Sequence, residues 1–168
     1  RRRVLALLAA AAIGHAVLVG FLAFDWAGGV ALLRGGLRPE TYLSNAVSYF
    51  DAVGWVNANL GPGDRVLFVG EARGYYCRVP HVTVALRPSL LVEASEADDA
   101  ALRDWLRSRG FTHLLLSERE RQRFAADLGE ELFESKDPAA RARLERFLVE
   151  DVRSVYQDRR GLHVLAIR

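Results

Sequence analysis

The run Gly70-Glu71-Ala72-Arg73-Gly74-Tyr75-Tyr76 holds the residue types best suited to gripping a small polar ligand. Arg73 suits a carboxylate or phosphate and Glu71 suits sugar hydroxyls, while Tyr75 and Tyr76 can stack on a sugar ring. The same residues also have a purely structural reading. Glu71 and Arg73 would then be an ion pair closing the end of a strand, Gly74 would supply a turn, and a tyrosine would pack beneath the loop. The residues by themselves leave both open. The run is not a dinucleotide fingerprint, because its glycines are four apart and lead into Tyr75-Tyr76-Cys77 instead of a helix. It is not a phosphate-binding P-loop either, since the Lys and the following Ser or Thr are missing.

No complete catalytic constellation accompanies this run. Cys77 has no base beside it, and His81 lies four residues on, past an expected turn. His81, His113 and His163 are scattered singly without ligand spacing, so neither a metal site nor a cofactor is expected, and His113 reads as a satisfied histidine at the edge of a core. A single cysteine excludes an internal disulfide. The charged stretch 118–123 reads as a solvated helix face.

The elements that must position this run follow from pattern and punctuation. Residues 66–69 are apolar on both faces and follow the turn Gly61-Pro62-Gly63-Asp64, which predicts a buried central strand. The carboxyl end of such a strand is where open α/β sheets hold ligands. Upstream, Ala46, Tyr49, Phe50, Val53, Val56 and Leu60 recur at three-to-four spacing and predict one helix over 41–59. Downstream come an apolar stretch at 82–86 and a capping-box-like start at Ser95 to Asp98, opening a helix with Leu102, Trp105 and Leu106 inward and Gly110 as its stop. A strand at 112–117 follows, then a second capping box from Ser117 to Glu120 with Phe124 and Leu128 inward and Gly129 closing. Asp137-Pro138 starts a further helix with Leu144, Phe147 and Leu148 as its stripe. Runs 152–156 and 162–167, joined by Asp158-Arg-Arg-Gly161, predict an antiparallel hairpin. The fold class expected is a small three-layer α/β domain with a mostly parallel central sheet and a C-terminal hairpin at its edge.

The N-terminus is of another kind. Residues 4–24 contain no charged side chain, and about 20 such residues span the hydrocarbon core of a bilayer. The run is long for a signal peptide and lacks a clear small-x-small cleavage site. Trp26 sits where an interfacial aromatic belongs, and His15 reads as a neutral imidazole bonded to a neighbouring helix. Arg1-Arg2-Arg3 favours a cytoplasmic N-terminal end, with Arg34 and Arg38 acting against that bias. The organisation expected is a membrane helix with a basic flank at 1–33, a flexible junction at 34–40 marked by Gly35-Gly36 and Pro39, and a soluble α/β domain at 41–168. The net charge of +2 comes from the N-terminal piece: residues 41–168 carry 18 basic and 19 acidic side chains, so no nucleic-acid-binding face is expected. Of the 23 basic residues, 22 are Arg, which points to a GC-rich coding bias.

Together, the helix ending Trp55-Val-Asn-Ala-Asn-Leu60, the block Pro62-Gly-Asp-Arg-Val-Leu-Phe-Val-Gly-Glu-Ala-Arg-Gly-Tyr-Tyr76 and the run Gly110-Phe-Thr-His-Leu-Leu-Leu116 resemble the C-terminal region of bacterial polytopic membrane glycosyltransferases of the GT-C class. The similarity is to the protein O-mannosyltransferase and aminoarabinose-transferase group. The resemblance implies an accessory extracytoplasmic domain after a last membrane helix, in the bacterial inner membrane. It also implies a polyprenyl-phosphate-linked sugar donor, and as partners membrane lipid, the remaining helices of the same protein and a glycan. The acidic catalytic residue of that class belongs to a loop absent from this sequence, so no catalytic residue carries over. A chain beginning with Arg and holding no Met reads as a fragment of something longer. The rival expectation is a single-pass anchored, non-enzymatic ligand-binding or interaction module.

Overall fold

In the computed structural model, residues 2–84, 94–95, 102–128 and 137–168 are described. The chain divides into two compact units, Arg1–Ser48 and Tyr49–Arg168.

The first unit is helical. Helix α1 (Arg2–Trp26) covers 25 residues, about 37 Å at the usual rise per residue, against a hydrocarbon core of about 30 Å. It is long and apolar enough to cross a bilayer, and none of its most apolar window is buried within the chain. Gly28 ends it with φ of +85°, a left-handed conformation that glycine adopts without strain. Helix α2 (Gly29–Leu33) follows, with the Phe24 ring lying where a side chain on residue 29 would stand. The junction expected at 34–40 is partly hydrogen-bonded: Gly35 N–H donates to the Leu32 carbonyl and Gly36 N–H to that of Ala31. Helix α3 (Pro39–Ala46) opens with Pro in its first turn, where the missing N–H costs nothing, and with Glu40 against the positive helix end.

The single helix expected over 41–59 is two helices. Val47 turns extended (φ −118°, ψ 108°) while its N–H still closes onto Leu43, and α4 (Phe50–Asn59) restarts in the second unit. The shared three-to-four spacing misled because Ala46 and Tyr49 serve different units. Ala46 is exposed, and α4 buries Ala52, Val53 and Val56.

The second unit is built on a five-stranded sheet in the order β2-β1-β3-β5-β4, with β1 (Val66–Val69), β2 (His81–Val84), β3 (His113–Ser117), β4 (Val152–Gln157) and β5 (Leu162–Ile167). Strand β1 lies between two parallel neighbours, and all four of its residues are buried, as a central parallel strand requires. The expectation of a mostly parallel sheet needs correction. The sheet is mixed, because the terminal hairpin joins through β5 antiparallel to β3, leaving β4 at the edge. A hairpin entering at β3 contributes two antiparallel pairings to a sheet with only two parallel ones.

Pleating sends Leu67, Val69, Leu114, Leu165 and Ile167 to one face. There they form a core with Leu102 and Leu106 of α5 (Leu102–Ser108), Leu144 of α7 (Pro138–Arg146) and Phe147. Phe68, Leu115 and Val164 are in register on the other face, and α4 packs against β4 and β5. Helices therefore flank a mixed sheet. Local signals place most of these elements. Gly110, with φ of +80°, stops α5. Asp137 accepts from the N–H groups of Ala139 (3.0 Å) and Ala140 (3.2 Å) to cap α7. Helix α7 continues into a wider π-type turn, Phe147–Asp151. Ser117 Oγ accepts from Glu120 N–H (3.3 Å) to start α6 (Glu118–Leu128), but the Glu120 carboxylate pairs with Arg123 instead of reaching back, so half the expected capping box forms. Residues 85–86, Glu96 to Asp98 of the first capping box, the side chains of Phe124 and Leu128, and Gly129 lie outside what is described.

Candidate functional site

The site is the loop leaving β1. Gly70 turns it with φ of +78°, so the chain departs the strand in a conformation that favours glycine. The next side chain, Glu71, is 4% exposed and is bound by Arg73 from three directions. Glu71 Oε1 accepts from the Arg73 backbone N–H (2.9 Å) and from Nε (2.7 Å), and Oε2 accepts from Nη2 (2.7 Å). This is a two-pronged guanidinium–carboxylate pair closed by a backbone bond. The guanidinium also stands 4.8 Å from the centroid of the Tyr49 ring. Its pKa is raised, first by the hydrogen bond to Glu71, with burial opposing and the charge of Glu120 on α6 assisting.

Further along, the structure separates the two tyrosines. Tyr76 packs on Tyr49 (centroids 6.2 Å apart) and edge-on to Phe50 (5.3 Å). Its carbonyl accepts from Asn57 Nδ2 (2.7 Å), and Asn57 Oδ1 accepts from Arg78 N–H (2.7 Å), so one amide side chain on α4 clamps the exit of the turn. Tyr75 points outward and is 87% exposed. Gly74 accepts from Cys77 N–H (3.0 Å) to form the expected turn, and a Cβ at Gly74 would collide with the His81 ring.

His81 and Cys77 do not form a nucleophilic pair. Both address the Val79 carbonyl, His81 by Nδ1–H (2.9 Å) and Cys77 by its thiol (3.5 Å). Burial pushes the Cys77 thiol up, partly offset by that carbonyl contact, and so favours the inert protonated form. The His81 ring stacks on Phe68 at 5.2 Å. At the opposite end of the strands, Thr112 Oγ1 donates to Asp64 Oδ1 (3.0 Å) and accepts from His113 Nδ1 (2.8 Å). His113 is half-buried there, its pKa lowered by burial and partly restored by Asp64. No cluster of three or more His, Cys, Asp or Glu residues able to hold a metal occurs among the described residues.

Of the six expected ligand-gripping residues, then, Gly70, Glu71, Gly74 and Tyr76 are engaged in shaping the loop. Arg73 is committed to Glu71 yet stays 50% exposed, and Tyr75 presents an open ring. Glu71, with both carboxylate oxygens held by Arg73, is committed to that pair. Tyr49 and Asn57 were missed from sequence. Burial raises the Tyr49 phenol pKa, with Arg73 pulling the other way. The signal for Asn57 was an Asn inside a helix, a type that favours turns and caps unless its amide has work elsewhere. No family model matches the chain, and no match is found among curated proteins or solved structures.

Proposed function

We propose that this chain is a membrane-tethered accessory head of a polytopic bacterial glycosyltransferase that draws on a polyprenyl-phosphate-linked sugar. In this reading the transfer chemistry belongs to membrane segments outside this chain. The head stands on the extracytoplasmic side, and the 70–76 loop meets the acceptor glycan or lipid through Tyr75 and the outer side of Arg73. The observation that carries the proposal is α1, whose apolar side chains find no cover among the described residues and call for lipid and neighbouring helices. The glycosyltransferase element rests on the resemblance of residues 55–76 and 110–116. The committed Glu71–Arg73 pair agrees with a recognition role and not an acid–base one. A specific observation also favours the second reading, an anchored interaction module. An exposed tyrosine on a rigid loop is a common protein-contact residue.

Two measurements test the proposal. The chain reconstituted alone in nanodiscs should transfer no sugar from a polyprenyl-phosphate carrier, and turnover by the chain alone would place the chemistry here and refute it. A photo-crosslinking amino acid at position 75 in bacterial membranes should capture glycolipid. Capture of protein alone would favour the interaction module.

A further inference from the structure

We propose that residues 26–38 form a collar that docks on the phospholipid headgroup layer where α1 leaves the bilayer. Trp26 and Leu33 would sit at the acyl boundary, and Arg34 and Arg38 would engage lipid phosphates. This rests on the membrane placement of α1 and is independent of the glycosyltransferase reading.

The argument begins with height. Gly28 bends the chain out of the α1 axis, and the Phe24 ring lies against Gly29, so α2 starts against the last turn of α1. Five helical residues rise only about 7.5 Å, so α2 stays within reach of the lipid–water boundary. Two large apolar side chains stand bare there, Trp26 at 90% exposure and Leu33 at 78%. Leaving a leucine in water forfeits about 1.5–3 kcal/mol of burial. Lipid is the occupant continuous with the exposed surface of α1.

Charge points the same way. Arg34 follows Leu33 directly and Arg38 lies four residues further on; both are exposed and make no side-chain hydrogen bond or ion pair among the described residues. Arginine at such a boundary lays its stem along apolar surface and offers its head to phosphate. The nearby acids are Asp25 in the last turn of α1 and Glu40 in the first turn of α3, where the helix end offsets its charge. An open groove of ≈ 510 Å³ beside Trp26, lined by Gly28 and Asn45 among others, leaves room for a headgroup.

The test uses the full chain with Cys77→Ser, carrying an environment-sensitive fluorophore at Leu33→Cys or, as the insertion control, at Val17→Cys. Both are reconstituted in nanodiscs of phosphatidylcholine and phosphatidylglycerol. The Val17 probe should be quenched by lipids brominated deep in the acyl chains. The Leu33 probe should be blue-shifted and quenched by lipids brominated near the carbonyls, and Arg34→Gln with Arg38→Gln should return it toward its emission in water. A Leu33 probe quenched by aqueous iodide beside a lipid-buried Val17 probe would overturn the collar and leave the membrane helix standing. Both probes in water would overturn the collar together with the membrane reading of α1. A Leu33 probe that stays embedded in the double variant would overturn the role given to the two arginines.

Discussion

Helix α1 and strand β1 both draw on Val, Leu and Phe, yet one keeps its apolar surface bare while the other buries every side chain. The difference lies in what each can recruit. Strand β1 exposes two faces and two hydrogen-bonding edges, and its own unit covers all four, with helices on the faces and β2 and β3 at the edges. Helix α1 satisfies its backbone internally, so it can leave its whole side-chain surface to a solvent as apolar as itself. Apolar composition therefore says only that water must be avoided; length and backbone bonding decide whether lipid or protein does the covering.

That contrast is most directly broken by truncation on each side. Phe68→Ala should destabilise the second unit by about 3–5 kcal/mol, whereas Leu18→Ala should leave its stability within about 0.5 kcal/mol, both read by urea unfolding of the full chain in detergent. Equal losses would abolish the distinction. Next in size is Gly74→Ala, where the new methyl group must displace the His81 ring stacked on Phe68, at about 1–3 kcal/mol. Gly20→Ala in α1 meets open space and should cost nothing in the same assay.

Glu71→Ala sharpens the comparison within the loop. Removing a buried carboxylate that holds Arg73 should cost about 1–2 kcal/mol, less than a fully buried pair because Arg73 is half exposed. Tyr75→Ala, at an exposed ring, should leave the urea midpoint unchanged. The smallest effect is one of pH. Burial holds the folded-state pKa of His113 below its ordinary value near 6.5, with Asp64 opposing. As pH falls through that value the unfolded state takes up the proton first, so this contribution is complete above about pH 6.5 and is lost on acidification below it. The urea midpoint should fall between pH 7.5 and 5.5, and His113→Gln should flatten that slope relative to the parent chain.

Much of this molecule was legible in order. The span of 4–24, the buried strand at 66–69, the stop at Gly110, the Asp137-Pro138 start and the terminal hairpin all follow from periodicity, turn residues and caps, which act over a few neighbouring positions. The misreadings share the opposite character. The break at Val47 falls where two units meet, and a helical spacing that runs through both cannot reveal it. The mixed sheet depends on which edge the hairpin joins, a choice made between strands dozens of residues apart.

The loop after β1 divides along the same line. Its residue types, its glycines and its place at a strand end could be read directly, because strand ends and turns are local events. Whether Arg73 would face a ligand or Glu71, which tyrosine would pack on Tyr49, and that Asn57 would clamp the turn were decided only once α4 lay beside the loop. Side chains of that kind choose among partners by distance and desolvation, and those quantities exist only after the chain has folded.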